Sequence, residues 1–282
     1  MNGSVLKNQI LPISLTLVVC AVLIGLLWLE ITLVNQALGT NISLSLRTVD
    51  VIVGLTIYLK TSIDFAIYIG NLMKTNNSWK SRIAIEVGTA LGNAMGTFVI
   101  ILLWALFKNI HWLSALMILV AALVLFKLAE DGLEHAQAES ESAPSKKKAW
   151  YARAAIGIEK ILKPVNTFLS PVLSRIMPKM NMKDAKEQPF FPLLMTAILI
   201  PFILGLDDFA GYLPLFDIVN IFGFAIGVFL GHMVLNILLY VSPQHTIKAV
   251  KNPIISLFGG VAFIGLGLWG LVEVVKILMG AG

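Results

Sequence analysis

Ile200 to Phe216 reads IPFILGLDDFAGYLPLF, with two adjacent carboxylates, Asp207 and Asp208, in the middle of an apolar run. Insertion scales put an acid at the centre of a membrane helix at roughly 2.5–3.5 kcal/mol, so a chain that keeps two of them there is predicted to use them. A related stretch precedes it: Asp64-Phe65-Ala66-Ile67-Tyr68-Ile69 reads against Asp208-Phe209-Ala210-Gly211-Tyr212-Leu213. The chain carries its acid-centred element twice.

Around these stretches, 57% of the 282 residues are apolar and 13% charged, which leaves too little polar surface to wrap a water-soluble domain. The expected class is therefore an all-α integral membrane protein with the lipid bilayer as its main partner. A net charge of +5 would suggest nucleic acid in a soluble chain. Here the cations sit in short loops between apolar spans, where they set orientation, and no nucleic-acid partner is expected. The single cysteine, Cys20, lies inside an apolar span, which removes disulfide frameworks and cysteine-based redox or zinc sites.

Seven apolar stretches are long enough for the ~20 residues a bilayer core requires. They run over 11–34, Thr48–Met73, Ile83–Phe107, Trp112–Leu128, about Phe190–Phe216, Ile218–Val241 and Pro253–Leu278. The first is too long for a signal-peptide core and no small-x-small site follows it, so a retained helix is expected. Glu30 near its end reads as interfacial. The second is predicted as one span holding Asp64, with Tyr68 on the same face. The third carries Glu86, Gly88, Thr89, Gly92, Asn93 and Gly96 on one narrow stripe, whose small residues admit a close neighbour. In the fifth, Pro192, Pro201, Gly205, Gly211 and Pro214 predict a kinked or broken helix around the aspartates. The sixth holds His232 and Asn236 on one face.

Between the fourth and fifth spans, EDGLEHAQAESESAPSKKK reads as a solvated loop, and WYARAAIGIEKILKPVNTFLSPVLSRIMPKM as short amphipathic surface helices interrupted by Pro164, Pro171 and Pro178. Lys7, the Lys74/Lys80/Arg82 loop, segment 130–189 and Lys248/Lys251 fall on one side; Arg47, Lys108 and Lys276 fall on the other. The positive-inside bias makes the first side cytoplasmic, with the N-terminus inside a plasma (inner) membrane.

The similarity between halves extends beyond the acids. DFAIYI, Gly88-Thr89-Ala90-Leu91-Gly92-Asn93 and Leu125-Phe126-Lys127-Leu128-Ala129-Glu130 are followed in the same order by DFAGYL, Gly227-Val228-Phe229-Leu230-Gly231-His232 and Leu268-Trp269-Gly270-Leu271-Val272-Glu273. Three spans per repeat is an odd number, so the second half must enter the membrane from the opposite side, and inverted repeats put their site at the mutual interface near mid-depth. The expected organisation is an N-terminal helix and connector (1–47), a first three-helix repeat (48–129), a cytoplasmic loop (130–189) and a second repeat (190–282).

Carboxylates with neutral nitrogen and oxygen donors around them, in a medium of low dielectric, attract a cation and repel an anion. Asp64, Asp207, Asp208, Asn93 and His232 are the candidate ligands, with Tyr68, Tyr212, Glu86 and Asn236 in support and Glu130 and Glu273 as candidate gates. Oxygen ligands suit hard divalent ions, and histidine adds affinity for Mn, Zn or Cd. The metal is expected as substrate, with no resident cofactor. A carboxylate of the Asp207–Asp208 pair is the candidate to take up a proton as the metal leaves.

TSIDFAIYIGNL and LGLDDFAGYLPLF resemble the paired aspartate motifs of the LysE/TerC/CadD-type transporter superfamily, over about 48–129 and 190–278. The resemblance implies two inverted three-helix repeats, export of a divalent metal such as manganese or cadmium, substrate coordination by Asp64 and Asp208, and inter-repeat contact at the glycine and Asn93/His232 positions. Some branches export basic amino acids, which stands as the alternative substrate. The first repeat has Asp-Phe where the second has Asp-Asp, although the cadmium branch leads one to expect a second acid there. A homo-oligomer is open.

Other classes compete. The aspartates could instead lock two helices, for example against Lys127, and His232 could bridge helices through Asn236. A scaffold docking through the cytoplasmic loop is a second class. An intramembrane aspartyl protease also uses two aspartates, but the glycine-rich flanks expected of one are absent, and no enzymatic activity is expected.

Overall fold

Ten α-helices and one 3-10 turn account for the described secondary structure of the computed structural model, and no strand occurs among the described residues. The structure describes residues 3–108, 110–141, 150–176, 187–210, 212–216, 219–250 and 252–280; within them the side chains of 3–13, 60, 63–64, 135–141, 150, 165–166, 168–176, 203–210, 214, 250 and 255 are outside the description. Among the described residues five helical segments are long and apolar enough to cross a membrane: Ser14–Leu38, Trp79–Phe107, His111–Glu134, Ile221–Val241 and Ser256–Leu278. Thr48–Leu59 and Phe190–Phe202 are shorter apolar helices. The chain divides into two compact units, one formed by Met1–Leu106, Asn181–Phe209 and Phe216–Ile247, the other by Phe107–Met180, Ala210–Leu215 and Lys248–Gly282.

In the first unit, α1 (Gly3–Leu38) buries Thr16, Cys20, Leu23, Leu27, Ile31 and Val34, a three-to-four-residue stripe, and leaves Leu17, Val18, Val22, Leu29 and Leu33 exposed. In lipid that exposure has no cost, and the buried stripe is what meets protein. The connector is pinned by Asn35, whose side chain donates to the Ile42 carbonyl at 2.9 Å and accepts from the Ile42 amide at 2.9 Å.

The expected second span is two helices, α2 (Thr48–Thr61) and α3 (Ile63–Thr75), divided at Ser62. Neither proline nor glycine makes this break. Ser62 leaves helical geometry at φ −81° and ψ 30°, and there the Tyr58 carbonyl accepts from both the Ser62 amide at 3.0 Å and the Thr61 hydroxyl at 3.2 Å. α4 (Trp79–Phe107) follows; α7 (Phe190–Ala210) runs through Pro201; α8 (Ile221–Val241) packs against α1, α2 and α3. α9 (Pro243–Val250) is a short helix in the loop that follows α8.

Two pairs of helices in this unit meet through glycines at backbone contact. On α8, Gly227 faces the backbone of Val51 and Leu55, and Gly231 faces Leu55 and Tyr58; on α2, Gly54 faces Phe224 and Val228. The numbers rise together, so α2 and α8 run parallel. Gly88 of α4 faces Leu194 and Ala197 of α7, and Gly92 faces Ile198 and Pro201, so α4 and α7 run parallel too. Between α4 and α8 the order reverses: Tyr240 meets Arg82 while Asn236 meets Glu86 and Thr89.

In the second unit, α5 (His111–Glu141) and α10 (Pro253–Leu278) form an antiparallel pair. Gly132 approaches Ser256 and Gly260 at one end, and Val274 packs with Ala115 and Ile118 at the other. α5 continues through the acidic stretch predicted as loop as far as Glu141; 142–149 lie outside the described residues. α6 is a single helix, Trp150–Ile176, and not the several short ones predicted. Pro164 and Pro171 are two turns apart, so the amide bonds they forfeit fall on one side, while Ala155 and Leu162 on the helix join Leu125, Phe126, Ala129 and Leu133 of α5 in one core. Pro178 lies outside the described residues.

Candidate functional site

Glu86, Thr89, Asn93 and Thr97 recur on α4 at helical spacing, and all four are buried. An apolar membrane helix gains nothing by burying such a stripe unless partners face it. α8 supplies them. His232 and Asn236, both fully buried and one turn apart, point between α2 and α4.

The hydrogen bonds run across three helices. Tyr58 Oη on α2 lies 2.8 Å from His232 Nδ1, and His232 Nε2 lies 3.3 Å from Asn236 Nδ2. Asn236 Nδ2 in turn donates to Glu86 Oε2 at 3.1 Å and to Thr89 Oγ1 at 3.1 Å. Phe65 of α3 closes the histidine pocket, its ring centroid 5.3 Å from that of His232. Both imidazole nitrogens are thus engaged, and His232 can bind a metal only by exchanging one of these partners. Asn93 is 2% exposed and its amide nitrogen has no hydrogen-bond partner.

The other expected residues are distributed as follows. Asp64 sits in the first turn of α3, directly before Phe65, and Asp207 and Asp208 in the last turn of α7; the side chains of all three lie outside the described residues. Tyr68 is half-buried on α3, whose buried face is Phe65, Ala66, Ile69, Leu72 and Met73. The five candidate ligands, with Tyr68, Glu86 and Asn236, belong to the first unit. Tyr212, Glu130 and Glu273 belong to the second. Tyr212 is buried there. Glu130 and Asp131 are both held by Lys127 at 2.9 Å, and Glu273 pairs with Lys276 at 3.0 Å. The two candidate gates are therefore paired within their own helices. Lys127 is engaged in the same local way.

Sequence reasoning missed Tyr58. Its signal was available: Tyr58 is six residues before Asp64, as Phe202 is before Asp208, so one half carries a hydroxyl where the other has none. Among the described residues no group of three or more His, Cys, Asp or Glu side chains is placed to hold a metal.

Fold and site together define a multi-span α-helical membrane protein with a buried hydrogen-bonded layer joining three helices. No family model, curated protein or solved structure matches the chain.

Proposed function

We propose that the protein is a membrane transporter of a small cation, most suitably a divalent metal of the Mn or Cd type, exported from the cytoplasm against a counterflow of protons. The observation that carries this reading is the buried polar layer of Asn93 and His232. These residues hold matching positions in the two halves, each one residue after a glycine that seats a parallel neighbour: Gly92 on α7, Gly231 on α2.

The pairing of helices supports the inverted repeat. α2 with α8 and α4 with α7 are the same contact seen from the two halves, and the antiparallel α5–α10 pair maps onto itself, Gly132–Gly260 onto Val274–Ala115/Ile118. Five long spans then become seven when the α2–α3 pair, divided at Ser62, and α7 are each taken as a further span.

Helix register refines where the acids act. Asp64 lies six residues beyond Tyr58, across the break at Ser62, and Asp208 seven beyond Pro201 on the oppositely directed helix α7, about 10 Å along its axis. An acid on each side of the Asn93–His232 layer favours two stations on one path over a single ion gripped by both. Cytoplasmic and outer ends follow from the loop charges.

Cells stressed with excess Mn or Cd test the reading. Expression of the wild type should protect them, while Asp64→Asn and Asp208→Asn, inserted to equal level, should lose protection. Equal protection by the variants would end the proposal.

A further inference from the structure

The hydrogen-bond inventory around Glu86 does not balance. Its Oε2 receives Asn236 Nδ2, but its Oε1 is buried with no partner, and so is Asn236 Oδ1. Two neighbouring hydroxyl protons are committed to backbone, Thr89 Oγ1 donating to the Glu86 carbonyl at 3.1 Å and Tyr240 Oη to the Arg82 carbonyl at 2.6 Å, while the Thr16 hydroxyl is a hydrogen-bonding neighbour of the carboxyl. Tyr240 therefore turns only lone pairs towards the carboxyl it borders, with Thr16 of α1 on the other flank. Asn236 Nδ2 has two protons for three acceptors, Glu86 Oε2, Thr89 Oγ1 and His232 Nε2. Reversing the amide does not help, since Oδ1 would then face the carboxylate. In either orientation the carboxylate has no cationic partner among the described residues, and a charge left so in a fully buried site is costly.

No basic side chain fills it. Among the described residues no ion pair includes Glu86. Arg82, one turn earlier on α4, lies over the Tyr240 ring at 5.7 Å, and its Nε has no hydrogen-bond partner. Among the described residues the charged or titratable groups around the carboxyl are Arg82 on α4 and Tyr240 and, through Asn236, His232 on α8, with Thr16 facing it from α1.

We propose that Glu86, Thr89 and Asn236, flanked by Thr16 and Tyr240, bind one monovalent cation, Na+ or H+. All the free donors are oxygen, which suits a hard ion, and one carboxylate neutralises one charge where a divalent ion would remain half-compensated in an apolar core. Glu86 is seven residues before Asn93, about 10 Å along α4, so this site lies at one edge of the Asn93–His232 layer and is joined to it through Asn236. Its counterpart in the second half is Ala225, which leaves the site on one side of the layer only. Its use as a coupling site rests on the transport reading; the binding itself does not.

The test is the melting temperature of the purified full-length protein in detergent. One arm titrates NaCl against choline chloride at pH 8, and the other lowers the pH from 8 to 5 without Na+. The site predicts a saturable rise of roughly 3–6 °C at tenfold excess of the bound ion in one arm, absent from Glu86→Gln, whose amide supplies the missing donor. A response to Na+ identifies a sodium site; a response to acid alone identifies a proton site. Equal responses of wild type and Glu86→Gln in both arms overturn the proposal. Should Glu86→Gln fail to fold, Thr89→Ala replaces it: the midpoint of the wild-type response must then move several-fold, and an unchanged midpoint counts against the site. No flux is measured, so a silent transporter leaves this result standing, and loss of binding leaves transport untouched.

Discussion

Replacing Gly227 with alanine should separate two helices. A Cβ at Gly227 would meet Leu55 N at 2.8 Å and Val51 C at 2.9 Å, with the Val51 carbonyl oxygen closer still, whereas ordinary contact begins at 3.4 Å. The obstacle is backbone on both sides, so no side chain can swing away, and α2 and α8 must part by about 1 Å. Overpacking of this kind costs about 1–3 kcal/mol, and a rigid backbone obstacle belongs at the upper end. The change also displaces Tyr58 from His232, because Gly231 and Tyr58 sit one turn further along the same contact. Gly25 and Gly265 provide the control, since a Cβ at either meets nothing within 4 Å. Alanine there should stabilise by about 0.5–1 kcal/mol through helix propensity. Thermal unfolding in detergent should show Gly227→Ala melting on the order of 5–10 °C lower and the two controls unchanged or higher. If Gly227→Ala melts like the controls, the α2–α8 backbone contact is wrong.

Three further outcomes are expected. In a double-mutant cycle, Tyr58→Phe and His232→Ala should couple by about 0.5–1.5 kcal/mol, the range for interhelical hydrogen bonds in membranes, and additive effects would remove that bond. Asn220 caps α8 at the Gly223 amide and reaches the Ser43 carbonyl, each at 2.9 Å, so Asn220→Ala should cost about 1 kcal/mol in the same unfolding assay, against no effect if the cap is idle. With Cys20 replaced by serine, single cysteines at Ser43 and Ser78 should label from opposite sides of the membrane; labelling from one side would dismiss the orientation argued from the loop charges.

Much of this architecture was legible because lipid makes the sequence simple. Long apolar runs give spans, and α10 begins at Pro253, where the seventh apolar stretch begins, with Asn252 capping the Ile254 amide at 3.0 Å. The glycine stripe on α4 and the Gly227–Gly231 pair announced close crossings, although sequence could not name the partner helices. The break at Ser62 was not readable, because the apolar run continues through it and neither a proline nor a glycine marks it. The extension of α5 and the continuity of α6 were hidden for a related reason: acidic and proline-bearing stretches read as loops until the buried Ala155 and Leu162 show what holds the helix. At the site, the acids stand out from hydropathy alone. Tyr58 does not, since its signal lies in its spacing from Asp64, and its role shows when His232 is found opposite it.

Metal flux into proteoliposomes, measured for Mn, Cd, Zn, Ca and lysine with an imposed proton gradient, bears most directly on the central claim that acids on either side of the Asn93–His232 layer pass a cation across the bilayer. The account predicts saturable, gradient-driven uptake of a divalent metal that Asp64→Asn and Asp208→Asn each abolish while the protein stays folded. Flux of none of these cations by the wild type, or undiminished flux through both variants, would contradict it.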